Sequence, residues 1–139
     1  APLATMAAGD GGTRVEASVQ PEWDQAKLAL DAGNWAEAIK LYETINRRKP
    51  DDARVLTQWA YALRKTGQLD TAITRYKRAL QLEPALLTAH EYIGEAYLMK
   101  SDLPLAEKHL AELKRICGAA GCEEYADLRQ AVDKFKAGK

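Results

Sequence analysis

Near the carboxyl end, Tyr125, Leu128, Val132 and Phe135 advance by three, four and three positions. That spacing lines one face of a helix. Glu123 and Glu124 open the segment and Lys134 and Lys136 close it, as the helix dipole prefers. Arg129 and Asp133 form an i,i+4 pair on its outside, in the less favourable charge order. Upstream, apolar and small positions recur at a longer interval. Ala38, Ala72 and Ala106 stand 34 residues apart, as do Ala26, Ala60 and Gly94, and Gly33, Gly67 and Ser101. Trp35, Leu69 and Leu103 keep the same step, and so do Tyr42, Tyr76 and Leu110, and Pro50, Pro84 and Gly118. A fixed period of 34 predicts stacked helical hairpins.

The residue types explain the hairpins. Gly33 and Gly67 fall where a first helix ends, because glycine accepts the left-handed conformation at low cost. Asn34 and Asp102 follow where an N-cap is wanted, and Gln68 is a poorer cap. Alanines fall where two helix backbones approach closely. Tyr42 and Tyr76 supply bulk between hairpins, and Pro50 and Pro84 stop the second helices.

These residues resemble the tetratricopeptide repeat family, whose pattern reads W-x2-L-G-x2-Y, then A-x3-F, then P. "HEYIGEAY" carries the first half with Ile93, Gly94 and Tyr97. "LTQWAYAL" puts Trp59 and Ala60 in the Leu-Gly slots. "EWDQAKLA" keeps only Ala26 and Ala29, but "GNWAEAIKLYETINRRKP" restores the second half. The resemblance implies an all-α fold, a right-handed superhelical solenoid of three hairpins and a C-terminal capping helix. The expected segments are a flexible leader at 1–18, units at 19–52, 53–86 and 87–120, and the capping helix and tail at 121–139. No unit buries its apolar face alone, so the stack needs its neighbours and a cap.

The resemblance also implies a groove lined by the first helices, with ligand contacts at fixed positions of each unit. Carried over, the partner-binding positions are Trp23 and Lys27, then Gln58, Tyr61, Arg64 and Lys65, then Glu91, Tyr92 and Glu95. The second unit's share is basic and the third's acidic, with aromatics between them. Aromatics and Arg tend to anchor interfaces. For Trp23, Tyr61 and Tyr92 the alternative is packing between helices. The family's clamp for chaperone C-terminal carboxylates uses Lys, Asn, Asn, Lys and Arg. The matching places here hold Trp23, Lys27, Gln58, Thr88 and Tyr92, so no partner held by that clamp is expected.

Composition narrows the function. The 139 residues hold 20 basic and 20 acidic side chains and are 47% apolar. This describes a folded domain with no global charge for nucleic acid. No uncharged apolar run approaches the roughly 18 residues of a membrane span. His90 and His109 stand beside no nucleophile or carboxylate in a recognisable arrangement, and no phosphate-binding or hydrolase motif is present. No enzyme activity, cofactor, metal or small-molecule substrate is therefore expected. "NRRKP" offsets a helix dipole and is too short for a nucleic-acid site.

"RICGAAGCEEY" holds Cys117 and Cys122, the two cysteines of the chain. On an unbroken helix they would diverge by about 140°. Gly118 and Gly121 interrupt the helix, so the thiols can meet in a disulfide that pins the last repeat to the capping helix. Two unpaired thiols behaving as small core residues is the alternative. A disulfide implies an oxidising compartment. The ending "GCEEYADL" resembles exported bacterial proteins of this repeat class. The first residue, Ala, is of the small type that signal peptidase leaves, and an arbitrary start of the chain accounts for it equally. The expected location is periplasmic or otherwise exported, the alternative a cytoplasmic protein with free thiols. The expected role is a non-catalytic interaction module that binds a peptide or partner helix, as a scaffold or assembly factor for exported proteins. The alternative is a self-associating homo-oligomer.

Overall fold

The computed structural model describes residues 19–138. The expected leader, 1–18, lies outside the described residues. Among these are seven helices and no strand. They are α1 (Gln20–Asp31), α2 (Trp35–Arg48), α3 (Ala53–Lys65), α4 (Leu69–Leu82), α5 (Leu87–Met99), α6 (Leu103–Cys117) and α7 (Glu123–Ala137). The first six pair as three hairpins, and α7 closes the last. The chain forms two compact units, one ending at Pro50 and the other beginning at Asp51.

The turn inside each hairpin is the same turn three times. Gly33, Gly67 and Ser101 take φ of +75°, +84° and +59°. The next amide reaches back five residues: Asn34 donates to the Ala29 carbonyl at 2.8 Å, Gln68 to Leu63 at 3.0 Å and Asp102 to Tyr97 at 2.8 Å. The positive-φ residue itself donates to Leu30, Arg64 and Leu98 respectively. This double closure satisfies carbonyls that a helix end leaves open. Ser101 adopts the left-handed conformation without glycine's freedom, at roughly 1 kcal/mol.

Capping departs from expectation at Asn34. Its side chain makes no cap hydrogen bond, whereas Asp102 accepts from the Leu105 amide at 3.2 Å. The two backbones are alike, with ψ of 75° in both. The difference lies in the side chain, and a carboxylate is the stronger acceptor. Asp52 caps α3 by accepting from the amides of Arg54 at 2.9 Å and Val55 at 3.3 Å.

In the first unit, Ala26 and Ala38 are fully buried, and Tyr42 and Ile45 nearly so. Glu22 on α1 meets Arg48 on α2 at 2.9 Å. In the second unit α3 packs on α4, α4 on α5, α5 on α6, and α7 on both α5 and α6. Ala60, Ala72 and Ala106 have no exposed surface and Gly94 is buried, so the periodic small residues mark the closest helix approaches. Arg75 lays its guanidinium 3.8 Å from the centre of the Trp59 ring. On α7, Leu128 and Val132 are buried between half-buried Tyr125 and Phe135. Each buried apolar side chain of this kind contributes about 1.5–3 kcal/mol relative to exposure. A disulfide joins Cys117, the last residue of α6, to Cys122, the N-cap of α7.

Candidate functional site

The second unit carries an aromatic and charged face on the first helices of its two hairpins, α3 and α5, which touch each other. Tyr61, Arg64 and Lys65 fall at i, i+3 and i+4 of α3, so they share one side of that helix. Glu91 and Glu95 share a side of α5 for the same reason, with Tyr92 beside them. Tyr61 and Tyr92 bring their ring centres to 4.8 Å, tilted by 40°. Both are half-buried. Tyr76 on α4 meets Tyr92 edge-on at 6.3 Å.

Arg64 stands deeper than its repeat position led us to expect. It is 6% exposed, a correction to its expected place as an open contact residue. Its guanidinium lies 5.0 Å from the Tyr61 ring centre and 5.6 Å from that of Tyr92. One of its nitrogens is 3.5 Å from a Glu95 carboxylate oxygen. Glu95, 31 residues downstream, supplies the counter-charge that lets an Arg be buried here. Arg64 therefore holds the two tyrosines and α5 in place. Lys65 remains exposed, its ammonium 5.4 Å from the Tyr61 ring centre.

The acidic side of the face reaches beyond α5. Burial pushes the Glu91 carboxyl up to about 8, helped by a hydrogen bond to Glu95 and by the charges of Glu95, Asp127 and Glu124. The last two belong to α7. Burial also pushes Tyr92 up to about 12, with Glu91 next in effect. Burial raises Tyr76 as well, and its hydroxyl finds no hydrogen-bond partner among the described residues.

The remaining predicted positions are placed differently. Gln58 is half-buried on α3. Trp23 and Lys27 stand on α1, in the other compact unit. Trp23 packs edge-on against Tyr42 at 5.8 Å, which is the packing alternative for this residue. Lys27 is exposed.

Two relationships were not foreseen. The first is the contribution of α7 to the acidic face, for which the only sequence signal was the pair Glu124 and Asp127 at i,i+3. The second joins the two histidines across the third hairpin. His90 and His109 bring their Nδ1 atoms to 3.0 Å, and His90 Nε2 lies 2.7 Å from the Pro84 carbonyl oxygen. That carbonyl only accepts, so His90 donates from Nε2, and His109 donates from Nδ1 to His90 Nδ1. Burial, then His90, pushes His109 down to about 4. The pair braces α5 against α6.

Among the described residues no group of three His, Cys, Asp or Glu side chains is placed to hold a metal ion. No helix among them is long and apolar enough to cross a membrane.

Fold and face together define a class: an all-α protein of repeated helical hairpins, closed by a further helix, with an aromatic and charged inner surface. Two family profiles match the chain, one described as TPR repeat over residues 60–101 and one as tetratricopeptide repeat over 24–56. The chain belongs to the tetratricopeptide-repeat proteins. It is 29% identical over 98 residues to the TPR repeat-containing thioredoxin TTL4 of Arabidopsis thaliana, a match covering 70% of this chain and 14% of that protein. The chain thus spans about a seventh of the length of this curated relative. Among solved structures, the TPR2B domain of yeast Sti1 in complex with an Hsp70 peptide superposes with a TM-score of 0.77 at 20% identity, covering 87% of this chain and 98% of that one. PcrH in complex with the chaperone-binding region of PopD superposes at 0.78 and 17% identity, covering 88% and 94%. These likenesses establish the fold.

Proposed function

We propose that the chain is a non-catalytic protein-interaction module, taking an extended peptide or partner helix on the face of α3 and α5. The observation that carries this reading is the Tyr61–Tyr92 pair, half-buried, with the Arg64 guanidinium lying over both rings. Tyrosines held this way offer contact area at little further entropic cost. Support at the level of fold comes from the Sti1 and PcrH structures, whose descriptions name bound partner segments.

We further propose that the module serves exported proteins in an oxidising compartment, the bacterial periplasm or an equivalent. The Cys117–Cys122 disulfide supports this, because cytosolic reductants keep such pairs open. Protein recovered from its native compartment then lacks two hydrogens in intact mass until it is reduced. Free thiols in that sample would overturn the assignment.

The test of binding is selection of a displayed peptide library on the purified chain. Selected peptides are expected to lose at least about tenfold in affinity on Tyr61→Ala or Tyr92→Ala, and nothing on Thr74→Ala, an exposed position on α4. Equal binding to all three variants would overturn the reading.

A further inference from the structure

We propose that the second unit holds a binding site for a small amphipathic carboxylate, an apolar chain ending in a carboxyl group, in the cavity between α4, α5 and α6. The site is separate from the Tyr61–Tyr92 face, and neither of those tyrosines lines it.

The cavity measures about 430 Å3, within the range of roughly 300–1,000 Å3 that small-ligand sites occupy. Its lining comes from one side of each helix. Lys77 and Leu80 stand at i and i+3 of α4, and Ile93 and Tyr97 at i and i+4 of α5. From α6 come Lys108 and His109, with Leu105 one turn before them.

The lining divides by chemistry. Leu80, Ile93 and Leu105 give apolar surface from three helices. Lys77 and Lys108 give positive charge from the two flanking helices, and both are exposed, so the charge sits at the rim. Neither makes an ion pair among the described residues. Nearby, Arg78, Lys100, Arg115 and Lys136 each have an acidic partner. No carboxylate among the described residues lines the cavity. Glu112, the acidic group that acts on His109, is already held by Arg115 at 3.0 Å.

One wall is fixed before any ligand arrives. The His109 ring stacks on Tyr97, with centres 5.8 Å apart and planes 17° from parallel. Its Nδ1 is tied to His90 at 3.0 Å, and His90 is tied to the Pro84 carbonyl at 2.7 Å. A wall set in advance lowers the ordering cost of binding. Burial and His90, then the charges of Lys108 and Lys77, disfavour protonation of His109. His109 is therefore neutral at pH 7 and leaves charge recognition to the two lysines.

These features select the ligand. The apolar surface takes an alkyl or aryl chain. Two ammonium groups without anionic partners take a carboxylate at the rim, and they repel a chain that ends in a cation.

The experiment is a titration of the full chain, methyl- and amide-labelled, followed by nuclear magnetic resonance at pH 7. The probes are sodium octanoate, octanamide, octylammonium chloride and the dipeptide acetyl-Gly-Leu with a free carboxylate. Octanoate is expected to give saturable shifts at the methyl groups of Leu80, Ile93 and Leu105. Octanamide should bind about fivefold to tenfold more weakly, as two exposed ammonium groups allow, and octylammonium more weakly still. The variant carrying Lys77→Gln and Lys108→Gln alters only exposed positions, so it should keep its fold by circular dichroism and bind octanoate and octanamide alike. Absence of saturable shifts with millimolar octanoate, or octanamide binding as tightly to the wild-type chain, would overturn the inference. Saturable binding of the dipeptide in place of octanoate would assign the cavity to a peptide terminus and overturn it too. None of these outcomes bears on the Tyr61–Tyr92 face, whose test is separate.

Discussion

A Cβ atom built on Gly94 would stand 2.6 Å from Leu128 Cδ2 and 2.8 Å from Cδ1. Leu128 is fully buried, so α7 docks in contact with the bare backbone of α5. Gly94 is therefore required by packing against the capping helix, not by backbone freedom. Gly94→Ala gains helix propensity of about 1 kcal/mol, yet is expected to destabilise the second unit by a net 1–2 kcal/mol or so through overpacking. Urea denaturation checks this, and Gly94→Ala with Leu128→Ala should cost less than the sum of the single changes. A more stable Gly94→Ala would contradict the docking described.

The disulfide closes a short ring between α6 and α7. Loop-closure entropy for a ring this small contributes about 2 kcal/mol. The Cys117→Ser, Cys122→Ser variant should lose that much against urea. Wild-type protein in reductant should match it, and the variant should not respond to reductant at all.

Arg64 is a brace, so its loss should be felt in stability. Arg64→Ala leaves Glu95 without its cation and removes the support of two tyrosines. Glu95 keeps some solvent access, with its side chain 28% exposed, which reduces the cost to roughly 2 kcal/mol. Tyr61→Ala should cost less, because Tyr61 is only half-buried. Denaturant midpoints of the two variants rank them.

Two groups set the pH dependence, with opposite signs. Glu91 has a folded pKa raised from 4.5 to about 8. Its contribution is fully present below pH 4.5 and is lost as pH rises through 8. His109 has a folded pKa lowered from 6.5 to about 4. Its contribution is fully present above pH 6.5 and is lost as pH falls towards 4. Between 4.5 and 6.5 the two slopes oppose each other, and from 6.5 to 8 Glu91 acts alone. Tm should therefore change little across the first window and fall across the second. Glu91→Gln should flatten the upper window, and His109→Gln should leave Glu91's downward slope exposed in the lower one.

The fold was legible because its constraints are steric and periodic. Ala26, Ala60 and Gly94, with Ala38, Ala72 and Ala106, write the helix approaches directly into the sequence, and Gly33 and Gly67 mark the turns. The cysteines could be paired on paper because Gly118 and Gly121 interrupt the helix between them. The inner face was legible only in part. Position within a repeat says which side of a helix a residue takes, but not how deep its side chain settles. Arg64 is buried because Glu95 arrives from the next hairpin, and Trp23 is occupied by Tyr42. The share of Glu124 and Asp127 depends on how α7 docks, which the Gly94–Leu128 contact decides. The His90–His109 pair joins residues 19 apart whose spacing matches no motif.

The most direct test of the account is a map of amide chemical shifts on the labelled chain as a selected peptide is added. The account predicts perturbations centred on Tyr61, Glu91, Tyr92 and Glu95. Perturbations confined to the exposed positions of α4 and α6, with the Tyr61–Tyr92 face unmoved, would contradict it.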